Sequence, residues 1–136
     1  MYKTIIVPID LADAEKGKPM IETAKKLCQK DGKIVLINVV EDIPSYVVVE
    51  LPTGTLEKTR KDAHDTLSAM AKAAGVKGDV EVRSGSPSTT ILAAADDKNA
   101  DLILIASHKP GLQDYLLGST AARVVRHAKC SVLVMR

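Results

Sequence analysis

Asp10, His108, Lys109 and the run Gly118-Ser119-Thr120 are the residues of this chain best suited to chemistry, and the chemistry they suit is anion binding. A strand runs into a polar loop, and the loop runs into a Gly-Ser-Thr helix start. Free backbone N–H groups at such a start bind phosphate well. His108 and Lys109 supply positive charge beside it. Asp10 directly follows the first strand, where a carboxylate can accept from a ribose hydroxyl or help hold a metal near phosphates. Each residue also has a plainer role open to it. Asp10 can cap a turn, Ser119 or Thr120 can cap a helix, and His108 and Lys109 can be solvated loop residues. Gly85-Ser86-Pro87 either lines the adenosine side of a crevice or makes a tight turn into a capped helix.

Other chemistries lack their residues. No Gly-x-Ser-x-Gly elbow, Walker-type phosphate loop or Gly-x-Gly-x-x-Gly after the first strand is present. A receiver-type phospho-acceptor needs a carboxylate at the end of the third strand, where Arg83-Ser84 stands. His64 and His127 sit on helices away from other ligand types and read as surface or structural residues, so no metal cluster is expected.

The elements that must position these residues alternate between strand and helix. Strands are expected over residues 4–8, 33–40, 79–83, 101–106 and 131–135. Helices are expected over 18–30, 56–74, from Ser86-Pro87 onward, and 119–128. Met20, Ile21, Ala24, Leu27 and Cys28 share one helical face, and Ala63, Leu67, Met70, Ala71 and Ala74 share another. Gly32 and Gly75 mark helix ends. Residues 41–55, with two prolines and the apolar run Tyr46-Val47-Val48-Val49, read as a loop with partial helicity. Near-continuous Ile/Leu/Val strands in βαβαβαβαβ order predict an α/β fold, a parallel sheet with helices on both faces. In such a sheet the ligand crevice lies outside the strand C-termini, where the strand order reverses.

The bulk numbers agree with one soluble domain over residues 1–136. Hydrophobic residues make up 46% and charged residues 26%. Three Tyr, no Trp and no Phe argue against single-stranded nucleic acid as a partner, since base-stacking platforms need aromatics. The net charge of +2, from 19 basic and 17 acidic residues, without a dense basic run implies neither duplex DNA nor an anionic membrane as partner. The first apolar run is too short for a signal peptide, and no segment approaches transmembrane length, so a cytoplasmic location is expected. Cys28 and Cys130 have no metal spacing and are expected as buried reduced thiols.

With these residues in view, the chain resembles the universal stress proteins, in particular their small single-domain F/G-type branch. The resemblance spans the whole length. It is strongest in Ile5-Ile6-Val7-Pro8-Ile9-Asp10, in Ser84-Gly85-Ser86-Pro87, and from Ile105 through Tyr115-Leu116-Leu117-Gly118-Ser119 to Val124-Val125-Arg126-His127-Ala128 and Cys130-Ser131-Val132-Leu133-Val134. It implies a doubly wound five-stranded sheet of order 3-2-1-4-5, a homodimer, and ATP lying across the strand ends. The nucleotide-binding members carry Gly, two residues, Gly, nine residues, Gly, then Ser or Thr. Here those glycines fall on Ala106, Lys109 and Gly118, followed by Ser119, with eight residues instead of nine in the second gap. Lys109 cannot give the close backbone approach of glycine, but its ammonium can meet phosphate. By this resemblance Pro8, Ile9, Asp10 and Val39 hold adenine and ribose, while Ala106, His108, Lys109, Gly118, Ser119 and Thr120 surround the triphosphate. Mg²⁺ is expected only with a bound triphosphate.

In that strand order the last strand is a sheet edge reading Val132-Leu133-Val134, which invites a two-fold partner to add its own last strand. The leading functional expectation is therefore an adenine-nucleotide-binding homodimer that regulates partners in stress response, with at most weak ATPase activity. The alternatives are a nucleotide-free dimeric interaction protein serving an unknown protein partner and, after it, a slow ATP hydrolase.

Overall fold

The structure is a computed structural model that describes residues 1–41, 44–107 and 117–136. His108 and Lys109 lie outside the described residues. Five strands, β1 (Tyr2–Pro8), β2 (Cys28–Val40), β3 (Val80–Ser84), β4 (Leu102–Ala106) and β5 (Ser131–Met135), form one sheet of order β3-β2-β1-β4-β5. Every paired neighbour runs parallel. The helices are α1 (Gly17–Leu27), α2 (Ser45–Glu50), α3 (Thr55–Ala74), α4 (Pro87–Asp97) and α5 (Ser119–His127). A 3₁₀ turn, Leu11–Lys16, precedes α1.

Side-chain alternation along the strands divides the core into two layers. Ile5, Val7, Ile34, Leu36, Leu102 and Leu104 face Met20, Ile21 and Ala24 of α1 and Leu67 of α3. Ile6, Val35, Ile37, Ile103 and Ile105 face Ile91, Ala94 and Ala95 of α4 and Ala121 and Val124 of α5. The sheet is thus apolar on both faces, which is why its strands read as continuous Ile/Leu/Val runs. Each fully buried Ile or Leu contributes about 1.5–3 kcal/mol relative to an exposed one.

Two local assignments differ from the sequence expectation. The first helix stops at Leu27, and Cys28 opens β2 instead of closing a helical face. The early start of β2 comes from its pairing with β1, where Tyr2 meets Cys28 before a register shift brings Thr4 opposite Lys33. Gly32 accordingly lies inside β2 and ends no helix. The 41–55 stretch carries α2, with Tyr46 at 73% and Val49 at 85% exposure. Gly75 ends α3 as expected, its N–H donating to the carbonyl of Lys72 at 3.1 Å. Both cysteines are free and half-buried, and burial, reinforced by Asp101, pushes their thiols up. Among the described residues no helix is long and apolar enough to cross a membrane.

Candidate functional site

The strand order reverses between β1 and β4, because β1 sends its chain to β2 on one side and β4 lies on the other. The C-terminal ends of these two strands flank the crevice that parallel sheets use for ligands. Ile9 leaves β1 with its N–H donating to the Ile37 carbonyl at 2.8 Å. Its own carbonyl accepts from Asn38 Nδ2 at 2.9 Å. The Ile9 side chain is buried in the core layer under α1. Ile9 is therefore an anchor for the strand end, and its side chain faces away from solvent. Pro8 is half-buried beside it.

Asp10 is exposed at the N-cap of the 3₁₀ turn, and its Oδ1 accepts from the Ala12 N–H at 3.0 Å. The capping role expected as its plainer fate is real. It occupies one carboxylate oxygen, and among the described residues Oδ2 has no hydrogen-bond donor. Val39 sits near the end of β2, half-buried against the other layer and paired with Arg83.

On the β4 side, Ala106 closes the strand opposite Met135. Ser107 follows it, 3% exposed, with its N–H donating to the Met135 carbonyl at 2.8 Å. Its carbonyl accepts from the Gly118 N–H at 2.6 Å. This bond fixes the start of α5 against the end of β4, so Ala106 and Gly118 are brought together across nine intervening positions that lie outside the described residues. Ser107 was not singled out in the sequence; a small polar residue directly after a buried strand was its only signal.

Gly118, not Ser119 or Thr120, is the N-cap of α5, with extended backbone and no side-chain cap. The first helical bond runs from the Ala122 N–H to the Gly118 carbonyl at 2.9 Å. The N–H groups of Ser119, Thr120 and Ala121 are therefore left for a ligand or water. The plain capping role for the two hydroxyls does not occur. Ser119 is exposed and Thr120 half-buried. A glycine at the cap leaves the helix end open to a close-approaching anion.

Gly85 closes the third strand end. Its N–H donates to the Val40 carbonyl at 3.0 Å, and its φ of 139° lies in the region that favours glycine. A Cβ there would meet Thr90 Oγ1 at 2.7 Å. Ser86 is the N-cap of α4 with Pro87 behind it, yet its hydroxyl makes no capping bond. Arg60 of α3 donates to Ser84 Oγ at the end of β3. Ser86, Pro87 and Ser88 of α4 face Ser119, Thr120 and Arg123 of α5 across a cleft of about 150 Å³ that Glu41 also lines.

A larger cleft, about 480 Å³, lies at the opposite end of the strands, between the last turns of α4 and α5. His127, Lys129 and Cys130 line it. Helix C-terminal ends present carbonyls, which repel anions, and the Cys130 thiol is held up by burial. The strand-end crevice is therefore the better ligand site despite its smaller volume.

The residues present fit an adenine nucleotide. One free carboxylate oxygen on Asp10 suits a ribose hydroxyl, and the open α5 start suits phosphate. Among the described residues no group of three His, Cys, Asp or Glu side chains is placed to hold a metal by itself.

The sequence matches the universal stress protein family over residues 1–136. Universal stress protein G of Salmonella typhimurium is 32% identical over 145 residues, with 100% of both chains covered. Among solved structures, the hypothetical protein MJ0577 superposes with a TM-score of 0.81 at 26% identity, covering 99% of this chain and 96% of that one. A universal stress protein in complex with cAMP superposes at 0.66 with 23% identity, covering 99% and 97%. One from Archaeoglobus fulgidus in complex with dAMP superposes at 0.65 with 16% identity, covering 99% and 98%. The last two likenesses speak for the fold alone.

Proposed function

The chain belongs to the universal stress protein family, and from that premise we propose that it is a cytoplasmic homodimer that binds an adenine nucleotide, ATP in particular, as a regulatory signal. The observation that carries the reading is the pairing of two groups across the β1/β4 switch point. Asp10 offers a free carboxylate oxygen on one side. The uncapped start of α5 offers backbone N–H groups on the other. A ribose and a phosphate tail demand that pair of functions. Two solved structures that share this fold are complexes with cAMP and dAMP, so the fold itself can accommodate an adenine nucleotide.

Pro8, Asp10 and Val39 take the nucleoside in this reading, with Ile9 holding the strand end in place. Ala106, His108, Lys109, Gly118, Ser119 and Thr120 surround the phosphates, and Mg²⁺ arrives with the triphosphate. The proposed role is binding rather than turnover. A general base needs a partner that poises it, and among the described residues the one bond to the Asp10 carboxylate is a backbone cap. A second reading, a nucleotide-free interaction protein, draws on the exposed Tyr46 and Val49 of α2, which suit a protein partner.

Thermal melting and calorimetric titration with Mg-ATP and Mg-AMP, for wild type and Lys109→Ala, test the proposal. A ligand that binds only the folded state raises the melting temperature by mass action. Saturable stabilisation by ATP, weakened in the variant, is the expected result. No shift at millimolar nucleotide, for protein freed of bound ligand, would overturn it in favour of the second reading.

A further inference from the structure

Between β2 and α3 the chain changes faces of the sheet. Glu41, directly after β2, lines the cleft between α4 and α5 on one face. Helix α3 packs on the other face, where Leu67 joins the core layer of α1. The first turns of α3 stand at the C-terminal end of the strands, since Arg60 donates to Ser84 Oγ at the end of β3. The connection that carries α2 therefore crosses over the strand ends, beside the place proposed for the nucleoside. Tyr46 follows Val40 by six positions, so it lies within roughly 20 Å of the end of β2.

Helix α2 has the exposure of a segment without its cover. None of its residues is buried, and Val47 alone is half-buried. Tyr46 and Val49, at i and i+3, share an exposed helix face that Val47 does not share. Pro44 and Pro52 flank the helix and stiffen both of its ends.

The aromatic inventory says what such a face can cover. The chain holds three tyrosines, no Trp and no Phe. Tyr2 opens β1 at the far end of the strands, and Tyr115 lies outside the described residues. Tyr46 is thus the one aromatic ring among the described residues on the crevice side of the sheet. Pro8 and Val39 offer a base apolar contact but no π face. A purine is held well by a ring stacked on its face.

We propose that α2 is a lid over the nucleobase, with Tyr46 stacking on the purine and Val49 covering its edge. The inference rests on the nucleotide reading and adds a positioning element to it. Closure takes both exposed side chains out of water, which offsets the entropy lost in ordering the connection.

Calorimetric titration of wild type, Tyr46→Ala and Tyr46→Phe with ATP tests the lid, with tyrosine emission read alongside. Tyr46→Ala should weaken ATP binding about 5- to 100-fold. Tyr46→Phe should keep the wild-type affinity, because the ring and not the hydroxyl stacks. Saturating ATP should quench the tyrosine emission of wild type, and the quenching should be smaller in Tyr46→Phe although the nucleotide still binds. Both variants should melt with wild type in the absence of ligand, since Tyr46 is exposed. Equal ATP affinity in wild type and Tyr46→Ala would overturn the lid, spare the nucleotide reading and leave the α2 face to a protein partner. Equal weakening in Tyr46→Ala and Tyr46→Phe would overturn it too, since the hydroxyl would then carry the contact. Wild type that binds no ATP would remove the lid and the nucleotide reading together.

Discussion

At the scale of single residues, Asp10 and Gly118 show how a plain role and a ligand role coexist. Asp10 spends one oxygen on the Ala12 N–H and keeps the other. Gly118 spends its N–H on Ser107 and leaves three donors behind it open. Neither division was legible from residue type, because a carboxylate and a glycine are common in turns for structural reasons alone. Glu81 shows a different balance. Burial alone would raise its carboxyl, but hydrogen bonds from Lys98 and Arg83 outweigh burial and hold it below the ordinary range. The Lys98 Nζ lies 2.8 Å from Glu81 and the Arg83 Nε 3.0 Å. A carboxyl lowered in the folded state stabilises above its unfolded pKa, about 4.3, and that stability fades as pH falls through the folded value. Urea unfolding should show Glu81→Gln less stable than wild type by about 0.5–1 kcal/mol at pH 7. The gap should narrow toward pH 3. A gap that stays constant with pH would count against the ion-pair account.

At the scale of elements, α2 and α3 illustrate how much tertiary contact decides. The periodicity of α3 marked Ala63 and Leu67 as inward, and both are buried, with Met70, Ala71 and Ala74 packed at the margin. Leu67 is fully buried in the core layer that α3 shares with β2 and α1. Leu67→Ala should cost about 2–5 kcal/mol of stability, whereas Val49→Ser on α2 should stay within about 0.5 kcal/mol. Denaturant titration of the two variants reads both; equal costs would mean that α2 packs in solution as α3 does. The first helix and β2 mark the limit of pattern reading. Residues 29–31 carry polar side chains and Gly32 follows them, a pattern that suits a helix end, and the stretch became strand because β1 offered a backbone partner across the sheet. Local sequence holds no record of that partner.

At the scale of the whole molecule, the two sheet edges differ. On β3, Glu81 and Arg83 form ion pairs with Lys98 and Asp97, a charged edge that discourages further strand addition. On β5, Val132, Leu133 and Val134 are half-buried beside β4, and the strand has no charged residue. That asymmetry supports the proposal of a two-fold partner on β5. Sedimentation should give twice the 14.5 kDa chain mass for wild type, and Leu133→Lys should give monomers or aggregates. An unchanged dimer in the variant would place the interface elsewhere. Five apolar strands, the helices between them and the polar residues gathered at strand ends follow from the order of amino acids alone, because side-chain periodicity and turn chemistry are local properties. The family resemblance carried the strand order 3-2-1-4-5, which the sheet shows. Which donors remain open is set by the folded packing. It closed Ser107 onto Gly118, buried the side chain of Ile9 and set Ser88 and Arg123 facing the start of α5. Those outcomes depend on hydrogen bonds and packing between residues distant in the chain, which no local pattern encodes.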